Sequence, residues 1–223
     1  MTTGLLITFE GVDGCGKTTQ LRRLEQRLIA AGRPPLVVRE PGGTSVGEAL
    51  RQLVLDPGTG DIDPATEALI YAASRAENVA RVIEPALAAG RIVLMDRYVD
   101  SSLAYQGGGR ELGIDRVLEA NLLATRGRLP DATVLVEVTP QVAATRLGST
   151  GEGPDRLESA GDAFFARVHA AYAELATRFP DRVLRVDGAA AEAEVANAVE
   201  AVLAPVLAEA GIALQPSADE VRA

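Results

Sequence analysis

An apolar run, Leu5-Leu6-Ile7-Thr8-Phe9-Glu10, leads straight into Gly11-Val12-Asp13-Gly14-Cys15-Gly16-Lys17-Thr18, and this junction constrains the fold more than any other stretch of the chain. Its spacing is G-x-x-x-x-G-K-[ST], which carries meaning only between a strand and a helix. Both are expected here: a strand that ends at Glu10 and a helix that begins near Lys17. Glycines let successive backbone N–H groups turn inward onto phosphate oxygens. The helix N-terminus adds favourable partial charge. Lys17 can then reach the outer phosphates of a nucleotide, and the Thr18 hydroxyl can ligate Mg²⁺. Gly11 to Thr18, with Thr19 directly after them, are therefore expected to wrap the phosphates of ATP.

The remaining chain alternates in the same way. Short runs rich in Val, Ile and Leu occur at Leu5–Glu10, Leu36–Arg39, Ile92–Asp96, Thr133–Val138 and Val183–Asp187. Most lack polar alternation, the pattern of strands buried on both faces. Helical segments are expected at about 17–31, 45–54, 64–89, 115–126, 140–147, 158–178 and 190–210. Asp63-Pro64 is a helix start, with a capping side chain followed by proline at the first helical position. Strand–helix alternation predicts an α/β fold: a parallel sheet flanked by helices. The alanine-rich segment 190–210 carries Val195, Val199, Val202 and Val206 at helical spacing, read as a stripe facing the core. The Gly148–Pro154 stretch reads as a flexible loop. The expected organisation is one phosphate-loop kinase domain over 1–210, with a lid at about 146–157 and a polar tail over 211–223.

A net charge of −9 over 223 residues argues against a nucleic-acid partner, which requires a basic face. The one cysteine, Cys15, fits a reducing compartment, and the first ten residues read as neither a signal peptide nor a membrane span. A cytoplasmic protein is expected. The chain contains no Asn-Lys-x-Asp sequence for reading guanine and no Leu-Ser-Gly-Gly-Gln signature. Asp96 is followed by Arg97, where an ATPase would more often place a glutamate. These features point to a kinase for a small acceptor. Asp96-Arg97-Tyr98 and Glu40-Pro41-Gly42-Gly43-Thr44 both follow predicted strands, at the edge where ligands bind in open parallel sheets. Asp96 is placed to hold Mg²⁺, and Arg97 to grip a phosphate. Tyr71 and Arg75 stand one helical turn apart and could form a nucleobase and phosphate site. From spacing alone they read equally as a packed ring and a solvated guanidinium.

The opening Phe9 to Gln20, then Arg39-Glu40-Pro41-Gly42-Gly43-Thr44, Asp96-Arg97-Tyr98, Asp100-Ser101-Ser102, the run Ala104 to Arg110 and Asp155-Arg156 with Glu158 together resemble the bacterial thymidylate kinases. The resemblance runs from about residue 5 to about 188. It implies five parallel strands, a small lid, a homodimer, ATP with Mg²⁺ as donor, and dTMP as acceptor. In such a site Asp13 accepts a hydrogen bond from the acceptor's 3′-hydroxyl. Tyr71 stacks on thymine, Arg75 and Arg97 bind the dTMP phosphate, and Ser101 lies near the polar edge of the base. Tyr105 lies under the sugar, Gln106 lines the same pocket, and Thr18 and Asp96 serve the metal. The chain departs from the family in its lid, which keeps only Arg146 and Arg156. Arg146 is expected to be the catalytic arginine. Arg156 is expected to order the next helix, neutralised by Asp155 and Glu158. The acceptor phosphate is largely dianionic near neutral pH, its second pKa being about 6, so no general base is needed. The only histidine, His169, is read as structural. Two alternatives stand beside this reading: a kinase for another nucleoside or nucleoside monophosphate, and a nucleotide-binding subunit without turnover.

Overall fold

The structure, a computed structural model, describes residues 4–147 and 156–214. The stretch Gly148–Pro154, read above as a flexible loop within the expected lid, Asp155, the Glu158 side chain and the tail beyond residue 214 lie outside the described residues.

Strand β1, Leu5–Glu10, is buried along its whole length, which explains its unbroken apolar sequence. After the glycine-rich loop, helix α1 spans Lys17–Ala30 and turns Leu21, Leu24 and Leu28 toward the sheet. Then come β2, Leu36–Arg39, and α2, Ser45–Leu55, capped by the Thr44 hydroxyl, which accepts from Gly47 N at 2.9 Å. A short 3-10 turn, Pro57–Thr59, precedes α3, Pro64–Asn78, where Asp63 caps the N–H groups of Ala65 and Thr66 as expected.

The predicted helix 64–89 is not one regular helix. After α3 comes a π-helical turn, Val79–Ile83, and then α4, Glu84–Ala88. Pro85 has no N–H to give to the preceding turn, and a widened turn accommodates such a gap. Strand β3, Ile92–Asp96, follows. It leads into helical structure that the sequence reading left unassigned: α5, Val99–Ser102, and a π-helical stretch, Leu103–Gly109. Gly107, Gly108 and Gly109 hid it, since glycine disfavours helices. Packing requires them small, because a Cβ on Gly109 would lie 2.5 Å from Phe164.

Helix α6, Ile114–Thr125, leads to β4, Ala132–Glu137, one residue earlier than expected. Next come α7, Pro140–Leu147, a 3-10 turn at Glu158–Ala160, and α8, Asp162–Arg178. Gly161, at φ 86°, separates the last two, so 158–178 is not continuous. Strand β5, Val183–Asp187, and α9, Glu192–Glu209, complete the fold. The buried row of α9 is Val195, Val199, Leu203 and Leu207, with Val202 and Val206 packed beside it.

All pairings are parallel, in the order β2-β3-β1-β4-β5. The register aligns Phe9 and Arg39 with Asp96, and Glu10 with Leu135. The phosphate loop, the segment after β2 and the Asp96-Arg97 turn therefore leave the sheet at one edge. Among the described residues no helix is long and apolar enough to cross a membrane.

Candidate active site

The phosphate loop closes tightly because three of its residues have left-handed or related backbones: Gly11 at φ 131°, Gly14 at φ 78° and Gly16 at φ 97°. A Cβ on Gly14 would meet the Ala143 carbonyl at 2.5 Å, so α7 leaves no room for a side chain there. Lys17, buried at the start of α1, donates to Asp13 Oδ1 at 3.1 Å and approaches the Val12 carbonyl at 3.5 Å. The Thr18 hydroxyl donates to Asp96 Oδ2 at 2.6 Å. These are two adjacent hard oxygens beside Lys17, which suits Mg²⁺, an ion that keeps waters and takes phosphate oxygens as further ligands. No cluster of three His, Cys, Asp or Glu residues occurs among the described residues. A metal at Thr18 and Asp96 would take its further ligands from water and nucleotide phosphates.

Arg97 comes from the opposite wall. Its own backbone is left-handed, at φ 68°, a conformation that disfavours any residue with a Cβ. The guanidinium meets Asp13 Oδ1 at 2.5 Å, the Gly11 carbonyl at 3.0 Å, Ser101 Oγ at 3.1 Å and Tyr105 OH at 3.4 Å. It also lies 5.2 Å above the Tyr105 ring centre. Asp13 is thus bracketed by two cations. Burial alone would raise its carboxyl, but Arg97 and Lys17 hold it well below the usual carboxylate range.

Other expected site residues sit differently. Arg75 is not open to an acceptor phosphate in this arrangement. It is 1% exposed, and its guanidinium donates to Glu40 Oε2 at 2.8 Å, Ser102 Oγ at 2.9 Å, the Tyr98 carbonyl at 2.8 Å and Asn121 Oδ1. Tyr71, one turn earlier on α3, is only half-buried. Spacing suggested a packed tyrosine and a solvated arginine as the bland alternative, and the burial is the reverse. An ion pair with Glu40 makes it tolerable, since a buried charge needs a partner. Gln106 is also buried, and its amide donates to Glu67 Oε1 at 3.0 Å. Glu67 further receives Arg110 at 2.9 Å and Arg156 at 2.5 Å. Arg156 donates to the Val54 carbonyl at 2.7 Å as well. Among the described residues its acidic partner is Glu67 of α3, distant in sequence, while the expected partners Asp155 and the Glu158 side chain lie outside them.

Arg146 sits at the end of α7, where its guanidinium donates to the Cys15 carbonyl at 3.1 Å and the Gly188 carbonyl at 2.9 Å. With Cys15, Gly16, Thr19, Gln20 and Ala190 it lines a cavity of about 220 Å³ between the phosphate loop and the start of α9. Cys15 is 1% exposed, and burial pushes its thiol up, which leaves it an unreactive packing residue. His169 is half-buried on α8, where burial lowers its pKa.

Sequence reasoning missed two residues. Glu10, wholly buried at the end of β1, accepts from Tyr98 N at 2.7 Å, Ser101 N at 3.2 Å, Ser101 Oγ at 2.5 Å and Tyr172 OH at 3.0 Å. Burial and the neighbouring Asp100 raise its pKa to about 7, against the pull of Arg97. The signal was present: a lone carboxylate ending an otherwise apolar buried strand. Tyr172, on α8, gave none.

Comparison with known proteins agrees with this geometry. A family model described as thymidylate kinase matches residues 9–199. A thymidylate kinase of Bifidobacterium longum subsp. infantis is 46% identical over 208 residues, 92% of this chain and 88% of that protein. One from Leifsonia xyli subsp. xyli is 50% identical over 193 residues, covering 86% and 91%. One from Thermoanaerobacter pseudethanolicus is 48% identical over 185 residues, covering 83% and 90%. The family model takes in the phosphate loop, the Asp96-Arg97 turn and strands β2 to β5, and on these matches the chain belongs to the thymidylate kinase family.

Proposed function

We propose that this protein is an ATP-dependent kinase that moves the γ-phosphate of ATP onto dTMP, giving dTDP and ADP. The observation that carries the reading is the convergence of Lys17 and Arg97 on one carboxylate, Asp13, at 3.1 and 2.5 Å. Lys17 belongs to the donor loop and Arg97 to the next strand edge. Donor and acceptor phosphates bound by these two cations would meet at Asp13. The chemical difficulty is bringing two polyanions together, and phosphoryl transfer depends mainly on positioning and charge neutralisation. Lys17 and Arg97 supply that positive charge, and entering phosphates replace Asp13 as their partner. Thr18 and Asp96 would hold Mg²⁺, which would supply further charge neutralisation when bound with ATP. Asp13 is then free to accept the 3′-hydroxyl hydrogen. Tyr71 is proposed to stack on the base, Ser101 to face its polar edge, and Tyr105 to lie under the sugar. Gln106 and Arg75 support the same pocket as buried braces. The proposed compartment is the cytoplasm, since a single cysteine leaves the fold independent of oxidising conditions.

A coupled assay with Mg-ATP across dTMP, dUMP, dCMP and thymidine tests the acceptor. dTMP is expected to give the highest kcat/KM, and thymidine none. Comparable turnover on dCMP would overturn the assignment.

Arg146 is proposed to serve the donor nucleotide. Its bonds to the Cys15 and Gly188 carbonyls, at the wall of the cavity beside the loop, support contact with the nucleoside half of ATP. Arg146→Ala is expected to weaken ATP about tenfold while dTMP affinity holds, the loss of one charged contact. A drop of 10³ or more in kcat at unchanged ATP affinity would instead restore the transition-state role expected from the sequence.

A homodimer is proposed through α2, α3 and α6, where α3 packs against both of the others. Leu53, Leu69 and Leu123 stand 45%, 61% and 85% exposed on these helices. Side chains so large and open favour covering by a second copy. Leu69→Glu with Leu123→Glu should shift the sedimentation coefficient from dimer to monomer. An unchanged dimer would place the interface elsewhere.

A further inference from the structure

A carboxylate buried at the end of a fully buried strand is costly unless something fixes it there. No ion pair among the described residues includes Glu10. Four hydrogen-bond donors hold it instead, three from the segment just after Arg97 and one, the Tyr172 hydroxyl, from α8. Oε1 takes the backbone N–H groups of Tyr98 and Ser101, and Oε2 takes the hydroxyls of Ser101 and Tyr172. We propose that Glu10 is a positioning residue for the acceptor phosphate, acting through the backbone and hydroxyl that aim Arg97. The role rests on the reading of Arg97 as the acceptor-phosphate ligand.

Two independent pieces of geometry carry this. Arg97 has a left-handed backbone, which persists only if its surroundings impose it. The Arg97 N–H donates to the Phe9 carbonyl at 3.0 Å, and the next N–H, of Tyr98, donates to Glu10 at 2.7 Å. The turn is thus clamped to the end of β1 on both sides of the Arg97 carbonyl. The second piece is the Ser101 hydroxyl, which has one hydrogen to give. It lies 2.5 Å from Glu10 Oε2 and 3.1 Å from Arg97 Nη1. A carboxylate at Glu10 draws that hydrogen away from the guanidinium and leaves a lone pair for Arg97 to donate to. Glu10 therefore sets both the strand exit from which Arg97 springs and the acceptor on which it rests. Two other charges near Glu10, Asp100 and Arg182, pair with each other at 2.6 and 2.8 Å.

Glu10→Gln keeps the size but replaces one oxygen by NH2. With its oxygen left on the two backbone N–H groups, the amide donates to the Ser101 and Tyr172 hydroxyls, and the Ser101 hydrogen turns away from residue 10, toward the side where Arg97 donates. The test is dTMP and ATP affinity by calorimetry for wild type, Glu10→Gln, Arg97→Ala and the double variant. Glu10→Gln should weaken dTMP about tenfold, the scale of one charged hydrogen bond disturbed, with ATP affinity within about twofold. In the Arg97→Ala background Glu10→Gln should cost dTMP nothing further, because contacts acting through one residue are not additive. Equal losses for both nucleotides, or a full additional loss in the double variant, overturns the role of Glu10. Normal dTMP affinity in Arg97→Ala sinks the acceptor-site reading itself, and the role of Glu10 with it. If Glu10→Gln does not fold, Tyr172→Phe removes a single donor to Oε2. The same cycle then expects a smaller dTMP-specific loss that vanishes without Arg97, and its persistence there contradicts the proposal.

Discussion

Replacing Lys17 with alanine lowers turnover by at least 10²-fold and leaves the protein folded. The ammonium is the only cation the phosphate loop itself contributes, and it sits at the N-terminus of α1, where the nucleotide's outer phosphates would collect. Removing a pre-organised contact of this kind costs about 10²–10³ in rate. The fold tolerates the change for a specific reason. Asp13, the partner left behind, keeps Arg97 at 2.5 Å and so remains neutralised. The Val12 carbonyl loses only a long contact of 3.5 Å. Circular dichroism and melting temperature should match wild type, while the coupled assay falls to the detection limit. A folded variant that retains more than about a tenth of wild-type activity would mean that Lys17 does not meet the transferring phosphate, given the magnitude such contacts carry.

Arg97→Ala separates the two substrates. It removes the cation proposed to bind the acceptor phosphate while leaving Lys17, Thr18 and Asp96 intact. The expected loss in dTMP affinity is about 30-fold or more, the scale of a charge-assisted bond taken from a desolvated site. ATP affinity should change by only a few-fold. Alanine still carries a Cβ at φ 68°, so part of any stability loss is backbone strain. Arg97→Gly separates the two effects. It should recover stability relative to alanine without recovering dTMP affinity. Equal losses for ATP and dTMP in both variants would assign Arg97 to the transferring phosphate or to the fold.

The sequence made some of this legible and hid the rest for identifiable reasons. The strand β1 and its loop were plain, because burial on both faces removes polar alternation and the loop chemistry restricts its residue types. The parallel sheet followed from the spacing of the other apolar runs, with β4 displaced by one residue. The π-helical stretch Leu103–Gly109 could not be read from propensity, since two of its three glycines, Gly108 and Gly109, serve contact with α8, an element far away in sequence, and Gly107 serves contact with Ile114 of α6. The same limit applies to side chains. Periodicity places Arg75 on a helix face but not the enclosure that Glu40, Ser102 and Asn121 build around it. Arg146, next to a glycine-rich stretch, reads as mobile, and its bonds to two backbone carbonyls appear only in three dimensions. The hub at Glu67, joining Gln106, Arg110 and Arg156, spans residues too distant for any local pattern.

The measurement that bears most directly on the account follows the label from [γ-³²P]ATP with Mg²⁺, with and without dTMP. Direct transfer at a site where Lys17 and Arg97 bring two phosphates together predicts label in dTDP, formed one-for-one with ADP, and little inorganic phosphate when dTMP is left out. Release of label as inorganic phosphate at the same rate with or without dTMP, or a failure to form dTDP, would contradict it.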